Sequence, residues 1–489
     1  MNGFLFITIK HVVKALCYGV IGGMIVAVVF FVMHLESRAD LKVWHDAELD
    51  VEFTTDSDVN SLEGYLSLEE ELFAQLDERV YGQVEPEHRN STARFTKGSL
   101  ADPGKWPVNW NRTFELVAES PKAGFLLLHG MSDSPYSLRS IGKRLHEAGG
   151  WVVGLRLPGH GTAPAAMMDM QWEDMAAAVR LAVSHLHDSV DGGPLYIVGY
   201  SNGGALAVHY ALSSLEETGL PPVNGLVLIS PALGVTRLAA LAVWQARLGH
   251  LLGLDKLAWN SILPEYDPFK YISFAVNGGD QVYRLTAEIR SRFKRLGGSA
   301  ILDRFPPVLA FQSVVDATVS TQALIDDLFK RLPLGEHELV LFDINRRSEA
   351  VPLLRDDPKR YIDTLFYNED LSFVLSLVTN ENEDSRAVIV RRKNINDPVV
   401  VEESIGMAWA EGLYSLSHVA LPFPINDPLY GMQDSDDNPG IQLGDLALRG
   451  ERNVFQISAA DMLRLRWNPF YPYLEERLLE FVSLADGQK

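Results

Sequence analysis

The apolar run Leu195-Tyr196-Ile197-Val198 leads into Gly199-Tyr200-Ser201-Asn202-Gly203-Gly204, and a helix-like run from Ala205 to Leu212 follows at once. Small residues two places either side of a serine permit a tight, strained turn that lifts its hydroxyl above the end of a strand. Ser201 is thereby a candidate nucleophile, with Gly199 and Gly203 as the residues that let the chain turn. As a bare pattern Gly-x-Ser-x-Gly arises by chance in many chains; between a strand and a helix it is specific. The alternative is a serine in an ordinary glycine-rich loop.

A serine hydroxyl attacks poorly unless a base takes its proton, and that base needs a carboxylate to orient it. Where this turn occurs on a parallel sheet, the chain order is serine, acid, histidine. Four histidines follow Ser201. His209 lies two turns into the helix after the serine, too far along it to turn back. His250 stands among Leu248, Leu251 and Leu252 and reads as a packed or surface residue. His337 precedes the apolar run ELVLFDI and would emerge at the wrong edge of the sheet if that run is the last strand. His418, in GLYSLSHVALPFP, is the first candidate and His337 the alternative. For the acid, VLAFQSVVDATVS ends in Asp316, with Asp303 and Asp343 as rivals and a helix cap or solvated loop acid as the plainer readings. The preceding strand, LVLISPALG, ends in no carboxylate. An acyl-transfer site also needs two aligned backbone N–H groups for the oxyanion. Asn202 supplies one by position and Met131, after the strand ending at His129-Gly130, the other; His129 itself reads as a structural loop residue.

The elements that must position these residues follow from periodicity. TFELVAES alternates, AGFLLLHG is a short unbroken apolar run, and strands then alternate with helices: SLRSIGKRLHEAG, GWVVGLRLPGHG, MQWEDMAAAVRLAVSHLHDSV, LYIVGY, GGALAVHYALSSLEE, VNGLVLISPA and PPVLAFQSVVD. That spacing predicts an α/β fold, a mostly parallel sheet covered on both faces. Two long interruptions break it. One, about 232–304, contains TRLAALAVWQARLGHLLGL, whose broad apolar face would cover the strand ends; the other, about 345–412, contains the strand-like LSFVLSLVT, SRAVIVRRK and PVVVEES. The last helix is YPYLEERLLEFVSL. Upstream, Leu62, Tyr65, Leu68, Leu72, Leu76 and Val80 recur at helical spacing, and residues 36–60, acidic and aperiodic, read as a linker to a folded part spanning 61–489.

A net charge of −21 gives a surface that repels nucleic acid and anionic headgroups. Cys17 is the single cysteine, which excludes an intramolecular disulfide or a multi-cysteine metal site. Ala15 to Met33 carries no formal charge, and as a helix would span about 28 Å, close to a bilayer's hydrocarbon thickness. The expectation is a transmembrane helix over 15–35 with residues 1–14 cytoplasmic, since Lys10 and Lys14 precede it, and the folded part on the far side of the membrane. A cleaved signal peptide is the alternative, and Gly19 and Gly23 could pack two such helices.

These segments together resemble an α/β-hydrolase of the monoglyceride lipase, carboxylesterase and serine aminopeptidase-like group. LLLHGMSDSPYSL, LRLPGHGTAP, IVGYSNGG and SVVDATVS carry the resemblance over roughly residues 110–320, and SHVALP adds His418. It implies that the first interruption is a cap shaping an acyl pocket, and that a carboxylic ester is attacked by a Ser201–Asp316–His418 triad through an acyl-enzyme without metal or cofactor; the apolar N-terminal segment and cap favour a lipid-derived ester. The 102-residue interval from Asp316 to His418 is far longer than such enzymes usually have. An acyltransferase uses the same intermediate; a peptidase and a non-catalytic, membrane-tethered binding protein are the other readings.

Overall fold

The computed structural model describes the chain except residues 1, 235–253, 348, 350, 434, 436, 445, 447–450, 452, 453 and 485–489, and except some side chains of the first helix. The apolar helix expected near 237–254 and His250 therefore lie outside the described residues.

A run such as Ala123–Leu128 has no polar side chain to turn outward, so it is stable only where both faces are covered; all six of its residues are buried. It forms β2 of a ten-stranded sheet. The others are β1 (Phe114–Leu116), β3 (Gly150–Leu155), β4 (Leu195–Tyr200), β5 (Gly225–Ile229), β8 (Val308–Ser313), β9 (Glu338–Phe342), β10 (Val374–Asn380), β11 (Ala387–Lys393) and β12 (Val400–Ala408). Their spatial order is β1-β3-β2-β4-β5-β8-β9-β10-β11-β12, while β6 (Trp259–Ser261) and β7 (Phe274–Ala275) pair separately. From β3 to β10 neighbouring strands run parallel. Only β1 at one edge and β11 and β12 at the other are antiparallel.

The longer helices are α1 (Asn2–Glu36), α2 (Leu62–Arg79), α3 (Arg139–Glu147), α4 (Trp172–Ser189), α5 (Asn202–Glu216), α6 (Val276–Leu296), α7 (Thr321–Asp327), α8 (Lys359–Tyr367) and α9 (Tyr471–Phe481). Alternation along each strand divides the core in two. Leu126, Leu128, Ile197 and Leu228 pack beneath α4, α5 and α7, whereas Phe125, Leu127, Val198 and Phe311 pack beneath α3 and α9. With both faces closed, reactive side chains have one exit, the carboxyl ends of the parallel strands.

One expectation changes. Residues 36–60 are a packed strap rather than a linker: Trp44, His45 and Phe53 are buried, and Arg38 Nη2 donates to Trp259 O at 2.7 Å while Lys256 Nζ donates to Asp40 Oδ1 at 2.8 Å. The strand-like segments of the second interruption are β10, β11 and β12, and they extend the main sheet beyond β9. The expected membrane span has no support from helix length and hydropathy: among the described residues no helix is long and apolar enough to cross a membrane. Within Ala15–Met33 the side chains of Ala15, Cys17, Ala27, Val28 and Phe31 lie outside those described.

A buried charge cluster fastens the N-terminal part to the sheet. Arg156, 1% exposed, donates from Nε to Glu69 at 2.9 Å and from Nη1 and Nη2 to Glu52 at 3.0 and 2.9 Å. Removing one member of such a cluster strands the others without counter-charge, at a cost of about 3–5 kcal/mol. Arg156→Met is expected to lower unfolding free energy by that amount in urea titrations at pH 7; a loss below about 1 kcal/mol would show the cluster to be energetically idle.

Candidate active site

Ser201 sits at the junction of β4 and α5 with φ 52° and ψ −115°. A non-glycine residue held there stores roughly 1–3 kcal/mol of strain, which persists only where neighbours over-determine it. They do. Ser201 N donates to Ile229 O at 3.0 Å and Ala232 N donates to Ser201 O at 2.9 Å, tying the turn to the end of β5. The two glycines are needed for space rather than for unusual dihedrals. A Cβ on Gly199 would lie 2.5 Å from Gly203 O, and one on Gly203 would lie 2.0 Å from Leu128 O. The serine is left 9% exposed at the strand ends.

Asp316 follows β8 in a turn that it closes itself: Oδ1 accepts from Thr318 N at 2.8 Å and Val319 N at 3.0 Å. Its Oδ2 accepts from His418 Nδ1 at 2.9 Å. That bond puts the imidazole proton on Nδ1 and leaves Nε2 able to accept one. The His418 ring centroid is 5.3 Å from that of Tyr200, the residue before the serine. Among the described residues no hydrogen bond joins His418 to Ser201, a contact that in related chemistry tightens when substrate is bound. Burial acts most strongly on Asp316 and pushes its pKa up, but the hydrogen bond and charge of His418 together with the Val319 and Thr318 N–H groups outweigh it, and the pKa is lowered.

Neither of the two expected backbone donors is used elsewhere among the described residues. Asn202 is the first residue of α5, where an N–H has no helical acceptor, and neither its N–H nor that of Met131 bonds to an acceptor among the described residues. The Met131 loop is held from the far side. Ser132 takes φ 63°, its carbonyl accepts from Tyr271 N at 2.8 Å, and Lys270 pairs with Asp133 at 3.0 Å. His129 is absorbed by the loop: Nε2 accepts from Leu157 N at 3.0 Å, so Nδ1 donates to Gly130 O at 2.9 Å.

Residues 119–343 match the model of a family described as serine aminopeptidase, S33. The thermostable monoacylglycerol lipase of Bacillus sp. (strain H-257) is 24% identical over 260 residues, 53% of this chain and 91% of that protein. These matches support a serine hydrolase of the α/β-hydrolase type, similar to lipases and esterases. Among solved structures, the monoacylglycerol lipase of Paleococcus ferrophilus is 21% identical, covering 47% of this chain and 88% of that one with a TM-score of 0.36. A soluble variant of the Saccharomyces cerevisiae monoglyceride lipase is 13% identical, with coverages of 47% and 82% and a TM-score of 0.36.

In this hydrolase the long interval before His418 is bridged by a closed excursion. The chain leaves the sheet after β9 at Asn345, builds α8 and β10–β12, and returns to the residue it left: Asn345 N donates to Tyr414 O at 2.8 Å and its Nδ2 to Leu413 O at 2.9 Å. Two residues on, Leu416 O accepts from Ser313 Oγ at 2.9 Å, at the end of the strand that carries Asp316. Sequence reasoning passed over Asn345 and Ser313; a polar residue at a strand end reads as an ordinary turn former, and their partners lie about seventy and a hundred residues away.

The rival residues are engaged elsewhere. His337 is buried at the amino end of β9 and His209 is buried with its ring 5.1 Å from Trp172. Asp343 accepts from Arg346 and from Thr379 Oγ1, and Asp303 precedes β8 instead of following it. The one group with metal-ligand spacing among the described residues, Glu85, Glu87 and His88, lies at the surface and apart from these loops.

A folded pKa held below the unfolded value, about 3.9 for an aspartate, means that Asp316 contributes stability above that pH and loses it as pH falls through the lower folded value. Asp316→Asn is expected to be less stable than the parent at pH 7, with the gap closing below about pH 4; a gap that stays constant in urea titrations from pH 7 to pH 2 contradicts this. Asn345→Leu should lower kcat on a p-nitrophenyl ester by about 10²-fold with KM little changed, as expected when a reacting group is displaced by an ångström. Unchanged kcat would mean that the His418 loop is placed by other contacts.

Proposed function

We propose that this hydrolase cleaves carboxylic esters by a Ser201–His418–Asp316 triad. The observation that carries the reading is the Asp316–His418 pair at 2.9 Å beside a strained Ser201. Ser201 Oγ attacks the ester carbonyl as His418 Nε2 takes its proton, and the Asp316 carboxylate stabilises the imidazolium. The carbonyl oxygen, now negative, accepts from the Met131 and Asn202 N–H groups. Collapse expels the alcohol, which takes the proton from His418, and leaves an acyl-serine. Water, deprotonated by His418, then releases the carboxylic acid and restores the serine.

A lipid-derived ester is the substrate class we favour, on the monoacylglycerol lipase relative and on the apolar sequence of the cap. Membrane attachment belongs to the same proposal. Leu16, Tyr18, Ile21, Met24, Ile25, Val29 and Phe30 are 48–71% exposed and face all directions around α1, an arrangement suited to lipid better than to a protein partner, which would cover one stripe.

Treatment with a fluorophosphonate followed by peptide mass spectrometry should place the adduct on Ser201, and Ser201→Ala should abolish both adduct and ester turnover. Labelling elsewhere, or turnover surviving in Ser201→Ala, overturns the reading. Removal of residues 1–36 should release the protein from the membrane fraction while retaining turnover of a soluble ester; a full-length protein that never enters that fraction overturns the attachment.

A further inference from the structure

Met131, whose N–H the ester-cleaving reading sets against the oxyanion, sits in a strained turn. Gly130 to Asp133 closes on a backbone hydrogen bond from Asp133 N to Gly130 O at 3.2 Å, and Ser132 stands inside it at φ 63°. A non-glycine residue is kept in that conformation only where its surroundings over-determine it. Two ties reach the turn from the loop at 265–273, within the first interruption. Tyr271 N donates to Ser132 O at 2.8 Å, and Lys270 Nζ pairs with Asp133 Oδ1 at 3.0 Å.

That loop is itself fastened on both sides of Lys270. Phe269, 2% exposed, stacks on Tyr136 with ring centroids 4.4 Å apart, and the hydroxyl of the equally buried Tyr271 accepts from Thr162 N at 2.7 Å. Glu265 closes the base of the loop, accepting from Ile272 N at 2.9 Å and from Ser273 N at 2.8 Å. Lys270 is therefore presented by a fixed backbone.

Asp133 needs such a partner. It is buried, and among the described residues Lys270 is the one cation within ion-pairing distance of it. A Cβ on Gly130 would lie 2.8 Å from Asp133 Oδ2 and 3.1 Å from Ser201 Cβ, so the carboxylate stands about one side-chain width from the serine. An unbalanced negative charge at that place would oppose the second one that develops on the ester oxygen during attack.

We propose that Lys270 is a positioning residue for ester cleavage: it clamps the Asp133 end of the turn, so that the Met131 N–H stays on the oxyanion, and it offsets the Asp133 charge beside Ser201. The inference rests on the ester-cleaving reading.

The test is kinetic and uses the full chain with a p-nitrophenyl ester. Lys270→Met should lower kcat by about 10²-fold with KM changed by less than about threefold, because an oxyanion donor acts on the transition state more than on bound substrate. It should weaken inhibition by an alkyl trifluoromethyl ketone, which forms a tetrahedral oxyanion on the serine, by a similar factor. Lys270→Arg, which keeps the charge, should recover most of the loss. Adding Asp133→Ala to Lys270→Met should cost no further activity, since the two residues act as one unit. Lys270→Gln carries the same comparison if the methionine variant folds poorly. Unchanged kcat on loss of the lysine charge, a loss confined to KM, or a double variant whose losses multiply overturns the clamp while leaving the esterase reading intact. A parent enzyme that takes no fluorophosphonate on Ser201 overturns both.

Discussion

Two hydrogen bonds from Asn345 to the carbonyl groups of Leu413 and Tyr414 hold together what the chain separates. A serine–acid pair can be set by neighbouring strands of one sheet, but the histidine must come from a loop, and here that loop begins after an excursion of one helix and three strands. The cost of closing a long loop rises only slowly with its length, so the excursion is tolerated provided that its ends are pinned. Asn345 pins them at the end of β9 and Ser313 at the end of β8, and His418 then falls within 2.9 Å of Asp316. The excursion is stable because it does not hang free. β10 continues the parallel sheet on β9, and Trp409, after β12, packs against Phe470 with ring centroids 4.8 Å apart.

The second constraint is the Ser201 turn. Positive φ at a serine and glycines with no room for a methyl group are tolerable only because β2, β4 and β5 are already in register beneath them. The same crowding leaves the Asn202 N–H at the start of α5 without a partner and brings the Met131 loop alongside, with Gly130 lying so close that a Cβ there would be 3.1 Å from Ser201 Cβ. The strained Ser201 and the unpaired Asn202 N–H beside the Met131 loop are thus consequences of one tight crossing between strand and helix.

Much of this was legible locally. Apolar runs mark the strands, the Gly-Tyr-Ser-Asn-Gly-Gly turn marks the strained junction at Ser201, and a carboxylate just past the next strand of the sheet marks the position of Asp316, because each depends on residues within one element and its turn. What was not legible depends on pairing across the chain. PVVVEES reads as a strand, but nothing in it says that it ends the main sheet. Glu69 is buried and Glu52 half-buried because both meet Arg156, about a hundred residues away, which nothing local to either acid signals. Residues 36–60 look like a linker because their few apolar anchors, Trp44 and Phe53, are too sparse to show a period. Asn345, which no local pattern singles out, holds the two ends of the excursion together.

In the proposed mechanism Ser201, His418 and the Met131 and Asn202 N–H groups face one reacting centre. A crystal structure of the fluorophosphonate-treated enzyme tests it most directly. The claim predicts phosphorus bonded to Ser201 Oγ, a phosphonyl oxygen within about 3 Å of both N–H groups, and His418 still bonded to Asp316. An adduct on Ser201 whose oxygen points away from Met131 and Asn202, or a His418 turned away from the phosphorus, would contradict it.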